Sequence, residues 1–308
     1  MPKTAFILDT DTGTDVDDAL AIAFAVRHPE LDLRAVTTVS GDTVRRARIA
    51  KKLLALAGRD DIEVAAGIRG DEHPQRRSEA GHEDEMLGPW TDELELSARD
   101  GVTLLLEECA EHRYEVCTVG MQSNVAAALE RDPSFSDDVA RLAVMGGVFA
   151  PIKFFDIDLP PGVDHNLNVD QQASLRALNA GIPALYVPCD VTFGSWLKSP
   201  HLERLQAGDA FCRELARQID IWANRPRRRN LEMIPADHVC LLHDPLTVAC
   251  LTDDGRRYVR TERMPVTVAM HQGVVRTFVD PAAGVEAEVV TGVDAAGFAD
   301  FWTRTVLG

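Results

Sequence analysis

Apolar and polar positions along this chain alternate between two periods. Short runs of β-branched and aliphatic residues, AFIL (5–8), LRAVTTV (33–39), IEVAAG (62–67), YEVCTVG (114–120), ARLAVMGG (140–147) and IPALYVP (182–188), read as buried strands. Between them the spacing lengthens to a helical period in DALAIAFAVRH (18–28), TVRRARIAKKLLALAG (43–58), VTLLLEECAEH (102–112), SNVAAALERD (123–132) and DQQASLRALNAG (170–181). Gly58 fits a helix stop and Ser123 an N-cap. This alternation predicts an α/β fold, a single domain over residues 1–308 with a mostly parallel, Rossmann-like central sheet flanked by helices. A helical region then extends to residue 223. The tail changes period: MPVTVAM, VVRTFVD and AEVVTG are short alternating strands, an antiparallel addition before a last helix ending at Leu307. Residues 69–90 and 149–166 read as loops, and runs of that length in a compact domain tend to carry function.

Composition narrows the choice of partners. Over 308 residues, 45% are hydrophobic and 26% charged, the balance of a globular chain with a sizeable core. A net charge of −17 argues against nucleic acid or an anionic membrane as partner. RPRRR (225–229) is the dense basic run, and it reads as a solvated loop. The six cysteines form no CxxC pair and have apolar neighbours, so free buried thiols in a reducing cytoplasm are expected. Neither a secretory signal nor an apolar stretch of the ~20 residues a membrane helix needs is evident, which again points to a soluble, cytoplasmic protein.

The chemistry concentrates in DTDTGTDVDD (9–18), where Asp9, Asp11, Asp15, Asp17 and Asp18 crowd the end of the first strand. Parallel sheets bind ligands at the carboxyl ends of their strands. The same rim receives Asp42 after Gly41, the stretch Gly120–Asn124, and Asp190. Crowded carboxylates repel unless a cation lies between them, and oxygen-only ligands favour Ca²⁺ or Mg²⁺ over zinc. A single aspartate here would cap the helix that follows, but five are too many for one cap. An EF-hand loop starting at Asp9 fails, because Gly13 and Leu20 fall at its fifth and twelfth positions. A haloacid-dehalogenase-type phosphatase would use Asp9 as nucleophile with Mg²⁺, but Gly13 stands where Thr or Val is wanted. The scarce lysines supply no phosphate grip.

ILDTDTGTDVDDALAI resembles the DxDPGxDDA signature of the inosine-uridine nucleoside hydrolase family, with Thr12 for Pro and two extra residues before Asp17. In order along the chain, TTVSGD (37–42) resembles TTVxGN, GHEDEMLG (81–88) resembles HGxxGLG, and VGMQSNVAAAL (119–129) resembles GPLTNLALAL. VMGG (144–147) is shared, DHNLNVDQQAS (164–174) resembles EFNxxxDPEAA, and HDPLTVA (243–249) resembles HDPxAVA. The resemblance implies a Ca²⁺-dependent nucleoside N-ribohydrolase. In it Asp11, Asp18, the Val119 carbonyl and Asp244 would hold the ion, and Asp17, Asp164 and Asn166 would bind the sugar. The ion would orient the ribose and acidify a water whose proton Asp11 accepts, while His243 would protonate the departing base.

Asp42 replaces the usual Asn near the sugar, His82 lies in a polar loop that is either a lid or plain surface, and Trp222 stands where a base-stacking Tyr is expected. A small-molecule nucleoside is the implied partner, in a homodimer or homotetramer. Asp9 would support the loop, and Asp15, inside the two-residue extension, is assigned no role. Asp42 and Asp164 also leave open a relative that binds nucleoside or ribose without turnover.

Overall fold

The computed structural model describes residues 3–69, 82–90, 94–159, 163–223 and 234–308. Its strands are β1 (Thr4–Thr10), β2 (Leu31–Thr38), β3 (Glu63–Ala66), β4 (Glu115–Thr118), β5 (Arg141–Met145), β6 (Ile152–Phe154), β7 (Ile157–Leu159), β8 (Ala184–Val187), β9 (Trp196–Lys198), β10 (His238–Leu241), β11 (Val259–His271), β12 (Val274–Val279) and β13 (Val285–Val293). Nine of these form one sheet in the order β12-β11-β13-β8-β5-β4-β1-β2-β3. The pairings from β13 through β8 to β3 are parallel, and β11 pairs antiparallel with both β12 and β13. The α/β class and the antiparallel C-terminal addition therefore hold.

Each face of the sheet buries its own apolar layer. Phe6, Leu8, Leu33, Val36 and Val64 join the helices Asp17–Arg27 and Thr43–Leu56 on one side. Ile7, Val116, Leu142 and Val289 join the helices Gly101–His112 and Ser123–Arg131 on the other. Alternate residues of one strand thus feed opposite layers, which requires strands apolar on both faces. All six cysteines are buried and free. No helix among the described residues is long and apolar enough to cross a membrane.

Several local expectations change. The segment 149–166 is not a plain loop: β6 and β7 form a small hairpin inside it, and a helix begins at His165. The helical region towards residue 223 is interrupted by β9, which pairs antiparallel with β10. Three residues are too few to show a strand period within a helical background. Ser123 is not an N-cap. It is the first residue of its helix, and its hydroxyl donates to Asp170 Oδ2 at 2.7 Å instead. Gly58 follows the helix Thr43–Leu56 with φ of +71°, as a C-terminal glycine should. Of the other expected loop, Glu83–Leu87 forms a short helix. Residues 70–81 and the basic run 225–229 lie outside the described residues.

Candidate active site

In sheet order the chain builds outward from β1 through β2 to β3, then returns to the other side of β1 with β4. Such a reversal leaves a crevice at the carboxyl ends of the two diverging strands. β1 delivers Asp11 to that crevice and β4 delivers Val119.

Beyond Asp11 the loop turns into the helix Asp17–Arg27. Val16 occupies the N-cap and no side chain caps the helix, so neither Asp17 nor Asp18 is a capping residue. Both stand in the first turn, where the helix dipole favours negative charge. Asp244 has the same position in the helix His243–Ala249, and these two helices pack together. As a result, carboxylate oxygens of Asp17, Asp18 and Asp244 lie within 4.8 Å of one another. Asp18 and Asp244 are 3% exposed, so water cannot screen the repulsion between them. Burial first, and the neighbouring carboxylates second, push all three well above the usual carboxylate range. Three buried acid groups gathered in this way could hold a cation between them.

The surrounding groups fix this arrangement. Asp18 Oδ1 accepts from the Thr10 hydroxyl and, at 3.1 Å, from the Asp11 amide. Asp11 lies outside the converging trio, and its Oδ1 faces Gly120, where a Cβ would come within 3.0 Å of it. Burial raises Asp11 too, against the opposing charges of Arg46 and His165. Asp9 belongs to β1 itself and is fully buried. Its Oδ1 accepts from Thr37 Oγ1 and Asn124 Nδ2, both at 2.7 Å, and burial pushes its pKa up to about 7. An aspartate so enclosed offers no open nucleophile. Lys52, likewise, is buried against the Met86 and Leu87 carbonyls and Glu214, so it is no phosphate grip.

The other sequence-selected residues fall into two groups. Asn166 is buried beside the crevice, donating to the Val119 carbonyl at 2.8 Å and to the Met145 carbonyl at 3.2 Å. His243 is half-buried, with Nδ1 2.6 Å from Thr192 Oγ1 and its ring edge-on to Phe193. Burial drives its pKa down to about 4, against the charge of Asp15, which leaves a neutral imidazole. Asp164 and Asp42, in contrast, have local work. Asp164 caps the helix His165–Val169 through the Leu167 amide at 2.7 Å and accepts from the Cys189 thiol at 3.0 Å. Asp42 caps the helix Thr43–Leu56 through the Arg45 amide at 3.1 Å.

His82 docks its own amide on the Gly13 carbonyl at 2.9 Å, which places the segment 82–88 against the acidic loop. Trp222 packs against the core and donates its indole N–H to Asp15 Oδ1 at 2.7 Å. Asp15, without a role in the sequence, therefore ties the loop extension to the end of the helix Ala210–Ala223.

Two further residues organise the site: Asn124, which the sequence places on the rim without a role, and Arg46, which sequence reading missed. Asn124 bridges β1, β2 and the chain after β3, donating to Asp9 and the Thr38 carbonyl and accepting from the Ile68 amide at 2.7 Å. Arg46 runs beneath the acidic loop and binds its backbone. One signal was available for Arg46. It stands three and four positions before the buried Ile49 and Ala50, a charge on the apolar face of its helix.

The family model for inosine-uridine preferring nucleoside hydrolase matches residues 6–300. The pyrimidine-specific ribonucleoside hydrolase RihA of Enterobacter sp. strain 638 is 30% identical over 257 residues, covering 80% of this chain and 78% of that protein. An uncharacterized protein of Schizosaccharomyces pombe is 30% identical over 213 residues, 65% of this chain and 66% of that one. Among solved structures, the plant nucleoside hydrolase PpNRh1 superposes over 100% of both chains with a TM-score of 0.82 at 25% identity. By fold, matched length and identity, the chain belongs to the inosine-uridine preferring nucleoside hydrolase family and is a hydrolase acting on N-glycosyl compounds.

Proposed function

We propose that this chain hydrolyses the N-glycosidic bond of a ribonucleoside at the crevice between β1 and β4, with Ca²⁺ as its ion. One observation carries the reading: the buried carboxylates of Asp17, Asp18 and Asp244, gathered within 4.8 Å from opposite ends of the sequence. Their donor set fits a hard divalent cation, since it is all oxygen and sheltered from water. Asp18 and Asp244, with Asp11 and the Val119 carbonyl from the adjacent strand ends, would hold the ion. Asp17 is left to bind a ribose hydroxyl beside it. When bound, the cation supplies charge neutralisation, orientation of the sugar diol and acidification of a water.

The remaining chemistry is the protein's own. Asp11, half-buried at the crevice, accepts the proton of the attacking water. The other carboxylates favour the positive charge that develops on the sugar in an oxocarbenium-like transition state. Asn166 and Asp164 grip the far hydroxyls, and Asp42, His82 and Trp222 form the rim. His243, neutral at physiological pH, meets the leaving base as a hydrogen-bond partner and proton carrier. Assembly as a homodimer or homotetramer belongs to the same reading.

Ribose release from purine, pyrimidine and nicotinamide ribosides tests it, for the wild type and for Asp11→Ala. Release by the wild type that falls at least ~10²-fold in Asp11→Ala supports it. The helix-capping bonds of Asp42 and Asp164 favour a second reading, a nucleoside-binding relative without turnover. Calorimetric binding of ribosides with no ribose released from any of them would establish that alternative.

A further inference from the structure

Arg46 is 5% exposed, yet it sits among carboxylates. Its Nε donates to the Ser40 carbonyl at 2.8 Å, Nη1 to the carbonyls of Asp11 and, at 3.0 Å, Thr12, and Nη2 to the Thr14 hydroxyl at 2.8 Å. Glu83 Oε1 lies 3.4 Å from Nη2. The guanidinium therefore joins three separate pieces of backbone: the acidic loop, the turn after β2 and the helix Glu83–Leu87. That turn is unusual, because Ser40 and Gly41 both have left-handed backbones, with φ of +67° and +62°. A non-glycine residue in that region persists only where its surroundings hold it, and the bond from Arg46 to the Ser40 carbonyl does so. A Cβ on Gly13 would meet Glu83 Cγ at 2.8 Å, so Glu83 also packs directly on the loop.

We propose that Arg46 is a positioning residue of this active site, an internal counter-ion that fixes the Asp11 loop and, by its charge, holds down the site's affinity for the divalent cation. The inference rests on the function proposed above for its catalytic half alone. A purely structural arginine and a counter-ion predict opposite changes in cation affinity. Loss of a merely structural arginine loosens the loop, and cation affinity and turnover fall together. Loss of a counter-ion shifts Asp11 enough to slow turnover while Asp18, Asp244 and the Val119 carbonyl still hold the ion, and it removes a repelling positive charge, so the cation binds more tightly. Like charges repel most strongly where water cannot screen them, so loss of the Arg46 charge is expected to tighten cation binding several-fold.

The test uses the full chain, stripped of metal and titrated with Ca²⁺ by calorimetry, alongside kcat for ribose release. Arg46→Gln is expected to lose at least tenfold in kcat and to bind Ca²⁺ several-fold more tightly. Arg46→Lys keeps the charge but not the fork of donors, so kcat falls while Ca²⁺ affinity stays within twofold of wild type. Weaker Ca²⁺ binding in Arg46→Gln, or wild-type kcat in both variants, overturns the proposal. If Arg46→Gln does not fold, Arg46→Lys decides: reduced kcat at unchanged affinity supports the proposal, and parallel loss of both overturns it. Absence of ribose release by the wild type refutes the function instead, and the Ca²⁺ affinities alone then decide the role of Arg46.

Discussion

At the scale of single residues, the site is a balance between carboxylates that need burial for their geometry and suffer from it electrostatically. Asp9 shows the balance away from the ion. Its pKa of about 7 stands above the 3.8 of an unperturbed aspartate, because burial outweighs the bonds from Thr37 and Asn124. Protonated Asp9 therefore stabilises the fold, fully below the unfolded pKa and progressively less as pH rises through about 7. Asp9→Asn keeps the acceptor for Thr37 and Asn124 and cannot ionise. In the metal-free protein, its melting temperature relative to wild type should rise between about pH 4 and pH 7 and level off above that. A difference that stays constant with pH would show that Asp9 does not titrate in that range. Of these residues, the aspartates were legible in the sequence because five in ten positions has no structural excuse. Arg46 was legible only as a charge on the apolar face of its helix, because most of its partners are backbone carbonyls, which leave no trace in composition.

At the scale of elements, the edge strand β12 is closed by a side chain. Asn168 donates to the Val275 carbonyl at 3.0 Å and accepts from the Val275 amide at 2.8 Å, filling the place a neighbouring strand would take. Thr277 Oγ1 reaches the Val148 backbone in the same way, at 3.0 Å to both its amide and its carbonyl. These bonds tie the C-terminal hairpin to the strand ends that carry the site. Asn168→Ala leaves a buried amide and carbonyl unpaired, at a cost of about 1–3 kcal/mol. Urea denaturation should show that loss with kcat near wild type, and unchanged stability would mean the strand finds other partners. The parallel strands were readable from their continuous apolar runs. β6, β7 and β9, three residues each, were not, because pairing rather than pattern defines them. The helix was read from Asp18, whereas it begins at Asp17 with Val16 at the N-cap, so that neither aspartate caps it.

At the scale of the whole molecule, the fold brings the two halves of a charged site together at one topological reversal. The loop after β1 supplies Asp11, Asp17 and Asp18. The helix beginning at His243 supplies Asp244, after the chain has completed β1 to β5 and β8. The packing of the apolar faces of these two helices, with Leu20, Ala23, Leu246 and Ala249 all fully buried, forces the carboxylates into proximity. Hydrophobic burial thus drives a charge arrangement that is unfavourable alone and becomes favourable with a cation. Family membership was legible from the N-terminal signature and the six ordered motifs that follow it. The helix-capping bonds of Asp42 and Asp164 were not, because a substituted side chain shows its partners only in three dimensions.

The most direct test is ribose release by the full chain before chelation, after complete chelation, and after Ca²⁺ is restored. The account predicts release that is abolished by the chelator and recovered with Ca²⁺ in wild type, and absent throughout in Asp244→Asn. Release that survives chelation, or that Asp244→Asn retains in full, would contradict it.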